Sequence, residues 1–230
     1  MGYIRYGILG RIGTGLFHVD HRVNIPVQVC KTVDINLPQF LIPVHQTKHK
    51  QVGCLCCVSG NIEFTIDIPR TGFCISGDCV SLSVMVENGS GRNITMRAEI
   101  SKLVTFIAGA SRRFNRNTLA LVHSEAILPH STNTWNPENL IVPMVEPTIS
   151  ESKIIHVEYF LKVWAAVPYA TNPSIVIPIL LGNVPYQGSA ETAVTAPTID
   201  FASYPASEVP WPDNPGPQPT GATLDAPLLT

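Results

Sequence analysis

A repeating period of two in the hydrophobic pattern limits what this chain can fold into more than any other feature. Between residues 62 and 86, two runs alternate apolar with polar side chains. The apolar positions are Ile62, Phe64, Ile66 and Ile68 in the first run and Val80, Leu82, Val84 and Val86 in the second. Side chains two residues apart point to the same face of a strand, so each run predicts a strand lying on a hydrophobic core. Turn residues at 69–72 and 75–78 separate the runs, as in the short antiparallel strands of a β-sandwich.

The same alternation predicts strands along most of the chain. We expect them at residues 3–12, 23–31, 52–58, 94–107, 113–122, 140–145, 154–167 and 174–181. The polar strand at 113–122 is expected at a sheet edge. Two prolines make residues 33–44 an extended connector, and residues 123–139 are expected to be a loop that holds Trp135.

Changes in composition divide the chain into three parts. The polar, basic residues 47–50 mark a boundary, which predicts a hairpin and connector over 1–46 and a folded β-sandwich over 47–186. From residue 187 the composition shifts to Pro, Ala, Ser and Thr without a period, so 187–230 is predicted to be a disordered Pro-rich tail. The fold class is all-β, an immunoglobulin-like sandwich.

Charge and hydropathy exclude several functional classes. The 230 residues are 45% hydrophobic and 14% charged, with a net charge of −2, which does not suit a nucleic-acid binder. No apolar run reaches the ~18 residues that a transmembrane helix needs. Arg11 and several glycines break the apolar segment that a signal peptide requires, which indicates a cytoplasmic protein. In that compartment the six cysteines are expected to be free thiols.

The motifs of common catalytic sites do not occur in the sequence. There is no G-x-S-x-G, no Ser-Asp-His set in a motif context and no Gly-rich phosphate loop, so we expect no catalytic residue and no cofactor. A group formed by His45, His49, Cys54, Cys56 and Cys57 suggests zinc. On a single strand Cys57 would face away from Cys54 and Cys56, and small buried thiols are therefore favoured over a metal site.

Two further groups suggest binding. Arg112, Arg113 and Arg116, together with Lys48 and Lys50, suit either acidic lipid headgroups and phosphorylated tails or an ordinary solvated edge.

Near the C-terminus, Asp225, Leu228 and Leu229 fit the DxxLL form of a sorting signal. In such a signal an acidic residue and paired leucines dock into a groove that is both charged and apolar. The alternative is an arbitrary disordered end.

Short motifs that follow one another in the same order along the chain resemble those of the α-arrestins, the arrestin-domain-containing adaptors. The resembling residues are 33–36, 43–44, 53–56, 59–60, 72–73, 77–78, 87–88, 90, 92, 135, 154–159, 177–179 and 181–186. The resemblance covers the whole second arrestin domain. It implies a non-catalytic cytoplasmic adaptor in membrane-protein trafficking, endocytosis and protein transport, peripheral at the plasma membrane or endosomes, with membrane-protein cargo tails or trafficking adaptors as partners.

The chain also departs from that family. A complete first β-sandwich precedes the connector in the family, whereas residues 1–46 resemble only a remnant of it. The family's PPxY motifs bind WW domains of ubiquitin ligases, and this chain has no Pro-Pro pair. Thr132 stands where the thioredoxin-binding member carries a reactive cysteine, so no disulfide with thioredoxin is expected there. The alternative function is a secreted or cell-surface immunoglobulin-like or fibronectin-like binding module, in which the glycosylation patterns at Asn88 and Asn93 would be used.

Overall fold

The computed structural model describes residues 4–13, 21–54 and 57–188, and strands account for most of them. The strands are β1 (Tyr6–Ile12), β2 (His21–Val27), β3 (Val44–Cys54), β4 (Cys57–Ile68), β5 (Gly72–Cys74), β6 (Ser83–Asn88), β7 (Ile94–Ala108), β8 (Ser111–Ile127), β9 (Ser131–Trp135), β10 (Ile155–Ala166) and β11 (Ser174–Gly182). One turn of 3-10 helix, Pro38–Phe40, interrupts the connector. Among these described residues, no helix is long and apolar enough to cross a membrane.

Two sheets pack face to face around one hydrophobic core. The first has the strand order β3-β4-β6-β9, and the second has the order β5-β11-β10-β7-β8. Only β5 runs parallel to its neighbour, β11; the other pairs within these sheets are antiparallel. The largest buried side chains include Phe64 from the first sheet and Tyr159 from the second. The predicted all-β sandwich is thereby confirmed.

The alternation in the sequence corresponds to the burial of the side chains. In β6, Val84 and Val86 are fully buried, whereas Met85 between them is exposed. The inward side chains of β10 are buried at every second position in the same way. The expected edge strand is also found, because β8 is the last strand of its sheet and pairs only with β7.

The first two strands form a separate hairpin. β1 and β2 pair in register from Tyr6–Val27 to Ile12–His21, in a sheet of their own. All seven residues of β1 are exposed. A hairpin was predicted over this region, and its assignment to a remnant domain of 1–46 stays a proposal.

The connector is attached to the C-terminal end of the sandwich. Ile35 is fully buried, and the Val33 amide donates a hydrogen bond to Asn183 Oδ1 at 2.8 Å. A β-bridge joins Asp34 to Val184. Gly182 allows this close approach, because a Cβ there would lie 2.4 Å from the Val33 carbonyl oxygen.

The predicted break at 47–50 and the predicted strand at 52–58 are both wrong. Residues 47–50 lie within β3. The hydroxyl of Thr47 lies 2.8 Å from the hydroxyl of Thr65 on β4. Cys54 ends β3 and Cys57 begins β4, and the two residues are register partners in this antiparallel pair. Those two cysteines are therefore on different strands, and the single-strand argument for their faces does not apply.

Two segments after β7 also differ from the prediction. The expected loop at 123–139 contains the end of β8 and all of β9, whose Trp135 pairs with Val84. The expected strand at 140–145 has no ladder and is joined to the fold by an isolated bridge between Cys79 and Ile141. Leu140 and Val142 are nevertheless fully buried, so the apolar pattern indicated burial correctly but not pairing.

Candidate functional site

A groove opens at the end of the four-stranded sheet, where β3 begins, β4 ends and β6 begins. It has a volume of about 690 Å³. It is lined by Pro43, Val44, His45, Asp67, Ile68, Pro69, Cys79, Ser81, Leu82, Ser83, Asn136, Pro137 and Glu138. Three of these are prolines that stand at strand ends, where a missing backbone donor does not break a ladder. The groove therefore combines rigid apolar walls with exposed polar groups, the composition expected of a binding site.

A row of polar side chains crosses the sheet at this end. Strand register places His45 opposite Asp67, and Asp67 opposite Ser83. Residues directly opposite in an antiparallel pair share a face, so the three lie side by side. The imidazole of His45 contacts the carboxylate of Asp67, with Nδ1 and Oδ1 2.6 Å apart. This pair forms one rim of the groove.

The order of these residues does not suit nucleophilic catalysis. A hydroxyl nucleophile needs the imidazole next to it, with the carboxylate behind the imidazole. In the strand order β3-β4-β6 the carboxylate of Asp67 lies in the middle, between His45 and Ser83. His45 is thus oriented toward Asp67 rather than toward the serine. The row can hold a ligand, but it does not present an activated hydroxyl.

Cys79 supplies a thiol to the same groove. Its Sγ donates a hydrogen bond to the backbone oxygen of Glu138 at 3.4 Å. Burial raises the pKa of the Cys79 thiol, and the nearby charges of Asp78 and Glu138 raise it further. Because the thiolate is the reactive and metal-binding form, we expect this cysteine to react more slowly at neutral pH than a thiol with an ordinary pKa. The carboxylates of Asp78 and Glu138 thus lie close enough to this wall to act on the thiol.

A cluster of contacts around Arg70 fixes the wall behind Cys79. Arg70 forms a salt bridge with Asp78 at 2.7 Å, and both side chains are largely buried. The Arg70 guanidinium stacks on the Tyr186 ring, 4.0 Å from its centroid. Asp78 also accepts a hydrogen bond from the Cys74 amide at 3.1 Å. Since both charges of the bridge are paired, the cluster holds the wall without adding a free cation to the groove.

The structure separates the two halves of the predicted basic group. Arg112, Arg113 and Arg116 lie on β8, the edge of the five-stranded sheet. Lys48 and Lys50 lie on β3, an edge of the other sheet, and Lys50 donates to Thr171 at 2.5 Å. β3 contacts β11, whereas β8 contacts β9, at the opposite side of the sandwich. The five cations therefore do not form one patch.

The two histidines considered for zinc are paired with carboxylates. His49 lies 3.0 Å from the carboxylate of Glu63, and His45 pairs with Asp67. Cys56 lies outside the described residues. Within the described ranges, no group of three or more His, Cys, Asp or Glu side chains is placed to hold a metal ion. Three cysteines in those ranges, Cys30, Cys74 and Cys79, are free.

The two glycosylation patterns differ in accessibility. Asn88 is fully buried, and its amide nitrogen donates to the backbone oxygens of Arg92, Ile127 and Leu128. Asn93 is exposed. In the folded chain only the second asparagine can be reached by a modifying enzyme. The candidate sorting signal Asp225, Leu228 and Leu229 lies outside the described residues.

Sequence reasoning missed the groove itself. Its lining comes from the starts and ends of β3, β4 and β6 and from the segments 79–82 and 136–138, which are far apart in the chain. Alternation predicts which face of a strand is buried but not which strand ends meet. The prolines at 43 and 69 were the available signal, since each ends an apolar run beside polar residues.

Fold and groove together define a β-sandwich protein with an open surface site. The family of the arrestin (or S-antigen) C-terminal domain matches residues 58–186, more than half of the chain. The chain belongs to the arrestin family, in its arrestin-domain-containing (α-arrestin) branch.

Three curated relatives illustrate the similarity. Arrestin domain-containing protein 4 of Homo sapiens is 35% identical over 169 residues, which are 74% of this chain and 40% of that protein. The Mus musculus protein of the same name is 34% identical over the same lengths. Thioredoxin-interacting protein of Sus scrofa is 27% identical over 186 residues, 81% of this chain and 46% of that protein. The chain thus matches less than half the length of these relatives.

Proposed function

We propose that this chain is a non-catalytic cytoplasmic adaptor in membrane-protein trafficking and endocytosis. Its partners are the cytoplasmic tails of membrane-protein cargo or other trafficking adaptors, and it acts peripherally at the plasma membrane or endosomes. The observation that carries the proposal is the match of residues 58–186 to an arrestin C-terminal domain. The folded unit proposed for this role is the predicted 47–186 extended to the start of β3 at Val44.

The geometry is compatible with tail binding in two ways. The groove is open, and its polar row and apolar walls suit an extended chain rather than a small enclosed substrate. The long edge strand β8 is also unpaired on one side, and such edges accept an additional strand. Binding of a tail to the groove or to the β8 edge would be non-covalent.

Ubiquitin-ligase recruitment through PPxY motifs is not part of the proposal, because the sequence has no Pro-Pro pair. The DxxLL segment at Asp225, Leu228 and Leu229 is proposed as a sorting signal. Its test is a pull-down with purified sorting-adaptor domains. Capture should be lost when both leucines are changed to alanine, and capture that is unaffected by this change would exclude the signal.

The adaptor function is tested with immobilised cytoplasmic tails. A panel of synthetic tails from single-span and multi-span membrane proteins is incubated with the purified chain, and bound protein is quantified. Binding to a subset of tails, with faster internalisation of those proteins when the chain is overproduced in cells, is expected. Absence of binding to every tail, together with unchanged internalisation, would contradict the proposal.

The exposure of Asn93 allows a test of the alternative function, a secreted or cell-surface binding module. A secreted or cell-surface binding module would carry a glycan at Asn93, and glycosidase treatment of protein from its own cells would then shift its mobility. The adaptor proposal expects no shift. It also expects identical mobility on reducing and non-reducing gels, because free thiols form no disulfide.

A further inference from the structure

The charge of the groove indicates what kind of tail it takes. Two of its lining residues, Asp67 and Glu138, carry carboxylates, and none is a lysine or arginine. Asp67 is paired with His45, whereas no salt bridge joins Glu138 to a lysine or arginine in the described part of the chain. Arg70, which follows the lining residue Pro69, is already bound to Asp78. A ligand that brings positive charge would therefore meet unneutralised negative charge at Glu138.

The Cys79 thiol at the groove wall lies close to two carboxylates. Its pKa is raised by burial and also by the charges of Asp78 and Glu138. A cation bound at this wall would lie close to the same two carboxylates, those of Asp78 and Glu138.

The walls between these charges are apolar. Val44, Ile68 and Leu82 line the groove together with its three prolines. Val44 and Ile68 are cross-strand partners, and Leu82 is almost completely buried, so these walls are held by the sandwich core. The volume of about 690 Å³ lies within the range of sites that hold drug-sized ligands. An apolar side chain flanked by cations matches both properties of the groove.

We infer that the groove binds extended basic-apolar segments of the kind found in the cytoplasmic juxtamembrane tails of membrane proteins. Cytoplasmic segments within about 20 residues of a membrane span carry an excess of lysine and arginine, whereas regions farther away do not. This assignment rests on the proposed adaptor function and narrows it to one class of tail. The cation of the tail faces Glu138, and its apolar side chains contact Val44, Ile68 and Leu82.

The test uses one peptide probe and its neutral counterpart. The probe is a fluorescein-labelled peptide with two arginines flanking a Leu-Pro-Leu core. The control peptide carries citrulline in place of both arginines, which keeps the shape and removes the charge. Fluorescence anisotropy should show the arginine peptide binding to the wild-type chain about two- to fivefold more tightly, the effect of one exposed ion pair. Equal binding of the two peptides would overturn the inference.

Three variants locate the binding. Ser81→Trp fills the groove from an exposed position, and Glu138→Gln removes the unpaired charge. We expect the first variant to abolish binding of the arginine peptide and the second to bring its affinity down to that of the citrulline peptide. Glu87→Gln is the matched control, because Glu87 is exposed on β6 but does not line the groove. An equal effect of the substitutions at Glu87 and Glu138 would indicate nonspecific attraction and contradict the assignment.

A footprint on the unmodified chain makes the test independent of variant folding. Alkylation by iodoacetamide is followed residue by residue with mass spectrometry. The arginine peptide should slow alkylation of Cys79 and leave the exposed Cys30 unchanged. If membrane-protein tails bind but Cys79 is not protected, the adaptor function stands and the groove assignment fails. If the arginine peptide protects Cys79 but no natural tail binds, the groove chemistry stands and the adaptor function fails.

Discussion

The buried amide of Asn88 joins three parts of the chain. Its nitrogen contacts the carbonyl oxygens of Arg92 at 2.8 Å and Leu128 at 3.0 Å, and its oxygen accepts from the Ser90 hydroxyl at 2.6 Å. Every buried polar group that loses a partner costs about 1–3 kcal/mol. We therefore expect Asn88→Ala to lower the free energy of unfolding by about 3 kcal/mol in urea titrations.

Asn93→Ala is the matched control for that measurement. Asn93 is exposed, so its substitution should change the free energy of unfolding by less than about 0.5 kcal/mol. Similar effects at the two positions would show that the buried network does not stabilise the fold.

A second residue-scale prediction concerns pH. Burial opposes ionisation of Glu146, but the hydrogen bond and charge of Lys102 outweigh it and hold the pKa of the carboxyl below its ordinary value of 4.5. A carboxyl with a lowered folded-state pKa contributes stability above its unfolded pKa, and this contribution is lost as pH falls through the folded pKa. We expect unfolding titrations to show stability falling below pH 4.5, and Glu146→Gln to remove part of that fall.

The control for this pH effect is Glu151→Gln. Glu151 pairs with Lys31 at 2.5 Å, but both side chains are mostly exposed, and exposed pairs contribute little. Its pH profile should match that of the unchanged chain. If the pH dependence of stability of Glu146→Gln also matched that of the unchanged chain, the contact with Lys102 would not contribute to acid unfolding.

At the scale of elements, the connector packs closely against Gly182. A Cβ at Gly182 would lie 2.6 Å from Ile35 Cγ2 as well as against the Val33 carbonyl oxygen. Gly182→Ala should therefore displace the connector, lower the free energy of unfolding by about 2 kcal/mol and speed hydrogen exchange at the Val33 amide. Gly10→Ala is the control, because the nearest atom to its Cβ would be 3.8 Å away. Unchanged exchange at Val33 in the Gly182 variant would contradict this account.

The strands of the core could be predicted from the sequence because their burial is periodic. β4, β6, β7 and β10 each bury every second side chain over much of their length, and tertiary packing preserves that period. The hairpin between β3 and β4 could not be predicted. Residues 54–57 contain none of the Gly, Asn or Pro that usually mark a turn, so continuous apolar character suggested one strand.

The candidate site was less predictable than the fold for a related reason. His45 and Asp67 are 22 residues apart, and only the β3–β4 register brings them together. A register depends on where a turn falls, and the turn was misplaced in the prediction. Cys79 and Glu138 meet through segments without a ladder, for which no periodic signal exists. The chemistry of each residue type was readable from the sequence, but their proximity was not.

At the scale of the whole molecule, the hairpin and the sandwich differ in what stabilises them. Tyr6, Ile8 and Ile12 of β1 are more than half exposed, and β2 exposes Val23 and Ile25 to a similar extent. The sandwich instead buries a continuous core across both of its sheets. An isolated two-stranded hairpin is marginally stable in water, because its backbone hydrogen bonds stay accessible and little apolar surface is removed.

Native-state hydrogen exchange should therefore resolve two levels of stability. Amides of β1 and β2 are expected to exchange through local opening, at rates at least about a hundredfold faster than amides at the centres of β7 and β10. Amides of β7 and β10 should exchange only through global unfolding, since both strands are internal to their sheet. Added urea should accelerate exchange in the sandwich more strongly than in the hairpin, because global unfolding exposes more surface. Equal protection of both parts would mean that the hairpin's apolar side chains are covered in solution, and that coverage, rather than hairpin pairing, would then stabilise residues 6–27.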